Sequence, residues 1–132
     1  MADMENMEEA LQVTQPELSL PPCSLDSLPP HMQEACARAG WNRLMPVQAH
    51  ALPYLMARHD IMVQSRTGSG KTGAYLLPML SLLSADVKGV QGLILAPTRE
   101  LASQVEREAK TLFEGTGLGV AALYGGTGYG RQ

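Results

Sequence analysis

The sequence lacks most of the features that mark specialised protein classes. Of its 132 residues only 5% are aromatic, with a single Trp and a single Phe, and only two are cysteine. Cys23 and Cys36 stand far apart, with no CxxC and no matching His pair. That excludes a disulfide-stapled secreted scaffold and leaves metal binding without support. Long apolar runs are missing too: the best stretch, Ala74 to Leu83, is interrupted by Pro78 and falls short of the ~20 residues a membrane helix needs. The start, Met1-Ala2-Asp3-Met4-Glu5, has neither the positive charge nor the apolar run of a signal peptide, so a cytoplasmic protein with reduced thiols is predicted. Basic residues are absent from positions 1–37, which hold seven acids; positions 38–132 hold ten bases and six acids. An acidic arm thus precedes a mildly basic body, a balance compatible with an anion ligand.

What is present reads as one domain behind a tail. Residues 1–22 are acidic, end in Pro21-Pro22 and show no strong periodicity, so they are predicted to be a disordered tail. Residues 23–132 form the body. A helix is predicted to enter at Pro29-Pro30 and to stop in a left-handed cap at Gly40. A second runs from about Pro46 to Arg58, bent by Pro53. Beyond it, short apolar segments alternate with longer amphipathic ones. Ile61–Gln64 reads as a strand and Lys71–Ser84 as a helix. Gly92–Ala96 reads as a strand buried on both faces. Glu100–Glu114 reads as a helix with Leu101, Val105, Ala109 and Leu112 on one stripe, and Leu118–Tyr124 as a third strand. Alternation of this kind implies right-handed crossovers, a parallel sheet and an α/β fold class.

Chemistry concentrates in the turn after the first strand, Ser65-Arg66-Thr67-Gly68-Ser69-Gly70-Lys71-Thr72. Gly68 and Gly70 allow the backbone to curl so that successive N–H groups face an anion, and the following helix N-terminus adds partial positive charge. Lys71 is expected to reach the β- and γ-phosphates of a nucleotide and the Thr72 hydroxyl to ligate Mg²⁺. A strict phosphate loop carries Gly where this chain has Ser65, and a plain Gly-rich helix cap is the bland alternative.

Three segments together carry a family resemblance: the loop Ser65–Thr72, the run Pro97-Thr98-Arg99-Glu100-Leu101-Ala102, and Gly40-Trp41-Asn42-Arg43-Leu44-Met45-Pro46-Val47-Gln48. In order and spacing they resemble a DEAD-box ATP-dependent RNA helicase over residues 23–132. The resemblance implies an incomplete first RecA-like domain of the P-loop NTPase class, a parallel sheet flanked by helices, with ATP and Mg²⁺ as cofactors. It implies that Gln48 recognises adenine, and an amide does offer the donor and acceptor that match N7 and N6 of that base. Arg66, Thr67, Gly68, Ser69, Gly70, Lys71 and Thr72 would hold the phosphates. Pro97, Thr98, Arg99, Gly125 and Gly126 would touch RNA through its sugar-phosphate backbone, without reading sequence. An exposed helix residue is the plain alternative for Gln48 and for Arg99, and a loop turn for the glycine pair.

The chain departs from the family at several positions. Cys23 occupies the place of an aromatic residue that packs on adenine, Leu44-Met45 replace Pro-Thr, Trp41 replaces Phe, and Ser65 replaces Ala. No segment resembles Asp-Glu-Ala-Asp, whose carboxylates hydrolysis needs. The expectation is therefore an N-terminal fragment that binds ATP weakly and does not hydrolyse it alone. The competing expectations are a non-catalytic nucleotide- or RNA-binding module and another P-loop NTPase such as a DNA helicase.

Overall fold

The computed structural model describes residues 19–126 together with Gly128 and Gly130. Most of the acidic tail lies outside the described residues. A 3-10 turn, Leu25–Ser27, precedes four α-helices: α1 (Pro30–Arg38), α2 (Pro46–Met56), α3 (Lys71–Leu82) and α4 (Arg99–Leu112). Among the described residues no helix is long and apolar enough to cross a membrane.

The helix ends follow local chemistry. Pro30 and Pro46 open α1 and α2 at first-turn positions, where a missing N–H costs nothing. Gly40 stops α1 at φ 77°, its N–H donating to the Ala37 carbonyl (3.1 Å) while the Trp41 N–H reaches the Cys36 carbonyl (2.8 Å). Those two bonds are the paired closure of a Schellman cap. Thr98 caps α4, its hydroxyl oxygen accepting from the Leu101 N–H at 3.1 Å.

Pro53 inside α2 has a consequence beyond bending. Having no N–H, it leaves the Ala49 carbonyl without its helical partner, and that oxygen instead accepts the Cys23 N–H at 2.9 Å. The incoming chain is thereby fastened to α2, and the Leu20 N–H adds a bond to the Tyr54 hydroxyl at 2.9 Å. Ordered contacts with the body thus begin within the segment assigned to the tail.

The core is a helical cluster. Met32, Ala35 and Cys36 of α1, Leu52 of α2, Leu76, Leu77 and Leu80 of α3, and Val105, Ala109 and Leu112 of α4 are buried together with Leu28 and Phe113. Each fully buried Leu contributes about 1.5–3 kcal/mol relative to exposure. Arg38 ties the ends of two helices together by donating to the Leu112 carbonyl at 3.0 Å, placing a cation at the negative end of α4. The α4 stripe is as predicted from Val105 onward, whereas Leu101 in the first turn is exposed.

The three predicted strands are where the structure differs. Residues 61–64, 92–96 and 118–124 carry no strand assignment, and among the described residues no backbone hydrogen bond joins one to another. Side chains of 118–124 nonetheless alternate: Leu118, Val120, Ala122 and Tyr124 are partly covered while Gly119, Ala121 and Leu123 are exposed. Ile94 packs on the helical core, whereas Leu93 and Leu95 are 77% and 86% exposed. The expectation that 92–96 is buried on both faces is thus corrected to burial on one. A helix pairs its own N–H and C=O groups, but an extended segment needs neighbours at about 4.8 Å, and these three do not supply them to each other.

Candidate nucleotide and nucleic-acid site

Two clusters gather the residues singled out in the sequence. The first forms around the loop between residue 64 and α3. Gly68 and Gly70 adopt φ 77° and 95°, the left-handed conformation expected of a phosphate cradle, and Gly70 leads directly into α3. Lys71 arches back to donate from Nζ to the Ser65 carbonyl, closing the loop on itself. Thr72 follows, half-buried, while Arg66 and Thr67 are exposed at the loop's outer edge. Ser69 Oγ is buried without a hydrogen-bond partner among the described residues. An orphaned polar atom inside a curled, Gly-rich turn suits a ligand rich in acceptor oxygens, because the hydroxyl can donate to it. The loop therefore fits a phosphate group.

Gln48 belongs to the same cluster. It is only 3% exposed, so the alternative of an ordinary surface residue does not hold. Its Oε1 accepts the Met45 N–H at the start of α2 (2.9 Å), and its Nε2 donates to the Gly70 carbonyl (3.2 Å). One amide therefore spans from the helix that carries it to the phosphate loop. Each end keeps spare capacity, since a carboxamide has two donor hydrogens and two acceptor lone pairs. Packing around it is tight: a Cβ built on Gly70 would lie 2.8 Å from Nε2, and one on Gly73 would lie 2.4 Å from Trp41 Cη2 and 2.6 Å from the same Nε2. Trp41, noted from the sequence only as a replacement for Phe, is thus a wall of this cluster. Met45, noted only as a departure from the family, lends its backbone N–H. The Trp41 contact has no local sequence signal, because it depends on α3 reaching that side chain, whereas the Met45 bond is local, an N-cap N–H held by the side chain three residues on.

Cys23 sits beside this helix, held through its backbone to Ala49. Burial pushes its thiol above the ordinary range, with its own backbone amide partly opposing the shift. Cys36, buried in the core, is raised by burial alone. Both cysteines are free. His31 bonds Ser81 Oγ at 2.9 Å, and no group of His, Cys, Asp or Glu among the described residues is arranged to hold a metal.

The second cluster joins α4 to the returning segment. Arg99 donates from its guanidinium to the Gly125 carbonyl at 3.2 Å, and a Cβ on Gly126, whose φ is 85°, would lie 2.6 Å from the same group. Pro97, Thr98 and Arg99 are exposed, as are Gly125 and Gly126. The five positions expected at an RNA path thus fall together at the start of α4. Thr98 spends its acceptor on the helix cap and keeps its O–H for donation. Sequence reading missed Ser103 and Tyr124, whose hydroxyls meet at 3.3 Å, and Arg107 one turn further on. The signal for Ser103 and Arg107 is faint, an i, i+4, i+8 row from Arg99 along one helix, and Tyr124, off that helix, has none.

Comparison with known proteins gives the family and the fold class. Residues 45–132 match the family model described as DEAD/DEAH box helicase. The chain is 39% identical over 108 residues to the DEAD-box ATP-dependent RNA helicase CshC of Bacillus cereus, covering 82% of this chain and 28% of that protein. It is 42% identical over 113 residues to the ATP-dependent RNA helicase RhlB of Shigella dysenteriae, covering 80% of this chain and 27% of the relative. Among solved structures, a DEAD box protein from the hyperthermophile Methanococcus jannaschii superposes with a TM-score of 0.73 at 32% identity, over 80% of this chain and 29% of the other. The RNA helicase Prp28 of Chaetomium thermophilum, bound to ADP, gives 0.73 at 34% identity over 91% and 29%. The chain spans less than a third of the length of these relatives. Likeness to those structures shows the α/β, RecA-like fold class, even though the described residues contain no paired strand. With the family model matching well over half of its length, the chain belongs to the DEAD/DEAH box helicase family.

Proposed function

We propose that this chain carries the ATP-binding and first RNA-contacting segments of an ATP-dependent RNA helicase. The observation that supports this most is the Gln48 amide, which joins the start of α2 to the Gly70 carbonyl and so couples a base-reading group to the phosphate loop. In this reading Gln48 presents its remaining donor and acceptor to the N7/N6 edge of adenine and leaves guanine mismatched. Gly68, Ser69 and Gly70 direct N–H and hydroxyl donors at the phosphates, with Arg66 and Thr67 on the outer edge. Lys71 exchanges the Ser65 carbonyl for phosphate oxygens, and the Thr72 hydroxyl is the group that would ligate Mg²⁺. The ion would supply charge neutralisation at the phosphates. Pro97, Thr98, Arg99, Gly125 and Gly126 hold the RNA backbone, which positions a strand without reading it. Two unpaired cysteines accord with a reducing, cytoplasmic setting. Nucleotide hydrolysis draws on carboxylates that the sequence does not offer in a recognisable segment, so the isolated chain binds ATP weakly and does not turn it over.

Calorimetric titration with ATP and GTP tests the reading. ATP is expected to bind more tightly, with the preference lost in Gln48→Ala and binding itself lost in Lys71→Ala. Equal affinity for the two nucleotides would remove the role of Gln48. RNA-stimulated turnover by this chain, abolished by Lys71→Ala, would overturn the claim that it does not hydrolyse ATP alone.

A further inference from the structure

Residues 118–126 run back along α4 in the opposite direction, and two polar contacts fasten the pair. The Ser103 and Tyr124 hydroxyls meet at 3.3 Å, and Arg99 reaches the Gly125 carbonyl at 3.2 Å. Between helix and segment lies an open groove of about 410 Å³ lined by Arg99, Glu100, Ser103, Arg107 and Tyr124. Arg99, Ser103 and Arg107 lie four residues apart in turn, so they form one row that spans about 12 Å along the helix axis. Arg107 is exposed, and its guanidinium makes no hydrogen bond or salt bridge among the described residues. The single acid of the lining, Glu100, lies in the first turn of α4, where the helix dipole favours it. The groove therefore carries two fixed cations against one anion, with two hydroxyls and an aromatic ring between them.

We infer that this groove is a second nucleic-acid subsite, which takes the continuation of the RNA strand held at Arg99 and Gly125. The inference rests on the RNA reading given above. A strand leaving those contacts along α4 enters the groove directly, because Arg99 belongs to both. Arg107 binds a further phosphate through its guanidinium fork, and Ser103 and Tyr124 offer hydroxyls to phosphate or 2′-hydroxyl oxygens. Such contacts are independent of base identity. They lengthen the footprint without adding sequence preference. An acidic peptide would meet the same two cations, but nothing would tie it to the Arg99 end, so continuity favours the nucleic acid.

The experiment measures binding of labelled oligouridylates to the full-length protein by anisotropy across a salt series. It uses a short strand that spans only the Arg99–Gly125 contacts and one of twice that length. Arg107→Ala is expected to leave the short strand unchanged and to weaken the longer one several-fold. It should also lower the slope of log affinity against log salt by about 0.7 for the longer strand alone, the value for one phosphate contact on a single strand. Arg107→Lys is expected to keep that slope. An unchanged slope, an equal loss on both lengths, or loss of polyglutamate binding with RNA binding intact would each overturn the subsite. Arg99→Ala separates the two claims. If it weakens both strands while Arg107→Ala is neutral, only the groove falls; if both are neutral, the RNA reading of this cluster falls too. If Arg99→Ala is neutral while Arg107→Ala weakens the longer strand, the groove stands and Arg99 loses its role.

Discussion

Exchanging Gln48 for glutamate changes no volume and removes one donor, which makes it a sharp test of the amide bridge. In the structure Oε1 accepts from the Met45 N–H and Nε2 donates to the Gly70 carbonyl, in a position only 3% exposed. Gln48→Glu keeps the first bond. It turns the second into a carboxylate oxygen facing a carbonyl oxygen in a buried position. Losing that hydrogen bond and leaving the carbonyl unsatisfied costs about 2–3 kcal/mol together with the burial of the charge. Protonation reverses much of this, because a carboxylic acid can donate where the amide did. Burial and the facing carbonyl both raise the folded-state pKa of the introduced carboxyl above its unfolded value of about 4.3. The sign follows: relative stability is fully present below the unfolded pKa and falls as pH rises toward the folded one. Urea melts without nucleotide should therefore show a small deficit near pH 4.5 and the full deficit at pH 8. In thermal melts at pH 8 the loss is about 4 °C per kcal/mol for a domain of this size. A deficit that is the same at both pH values, or below about 0.5 kcal/mol at pH 8, would show that Gln48 does not bridge α2 to the loop.

Other perturbations test the neighbouring contacts. Gly73→Ala pushes a methyl group to within 2.4 Å of Trp41 and 2.6 Å of Gln48, so it is expected to cost about 1–3 kcal/mol in a melt and to shift Trp41 fluorescence; an unshifted spectrum at wild-type stability would refute that packing. Gly68→Ala and Gly70→Ala both force a side chain into left-handed backbone at about 1–2 kcal/mol. Only Gly70 also meets the Gln48 amide, at 2.8 Å, so its variant should be the less stable of the two. Glu106 is held below the usual carboxylate range, first by the hydrogen bond from Lys110 at 2.8 Å, with further help from the Ala122 N–H. The stability it adds is present above its unfolded pKa and is lost as pH falls through the lowered folded value. Glu106→Gln should therefore cost about 0.3–0.5 kcal/mol at pH 7 and nothing near pH 2, read from paired urea melts.

The four helices were legible because their determinants are local. Pro30 and Pro46 mark first turns, Gly40 marks an end, and the Val105–Ala109–Leu112 stripe marks the buried face, each within a few residues of the structure it dictates. The curl of the phosphate loop was readable for the same reason, since Gly68 and Gly70 are the residues that left-handed φ favours. What the sequence could not disclose depends on chain reversal. Gln48 meets a carbonyl 22 positions later, and Ser103 meets a hydroxyl 21 positions later, through packing that no window of sequence contains.

The strand segments mark the boundary between these two kinds of information. Alternation in 118–124 is a property of the extended backbone and of which side chains seek cover, so it survives without a ladder. Pairing is a property of neighbours, and Leu93, Leu95 and Leu123 remain exposed without them. The helices cover one face of these segments with a shared core, and that suffices to hold the Gln48–Gly70 bridge and the Arg99–Gly125 contact in place. Both clusters hang on helix starts, at the head of α2, of α3 and of α4. Among the described residues, helix–helix packing positions the Gln48–Gly70 bridge, and the Arg99–Gly125 contact ties the start of α4 to an extended segment without a strand ladder between them.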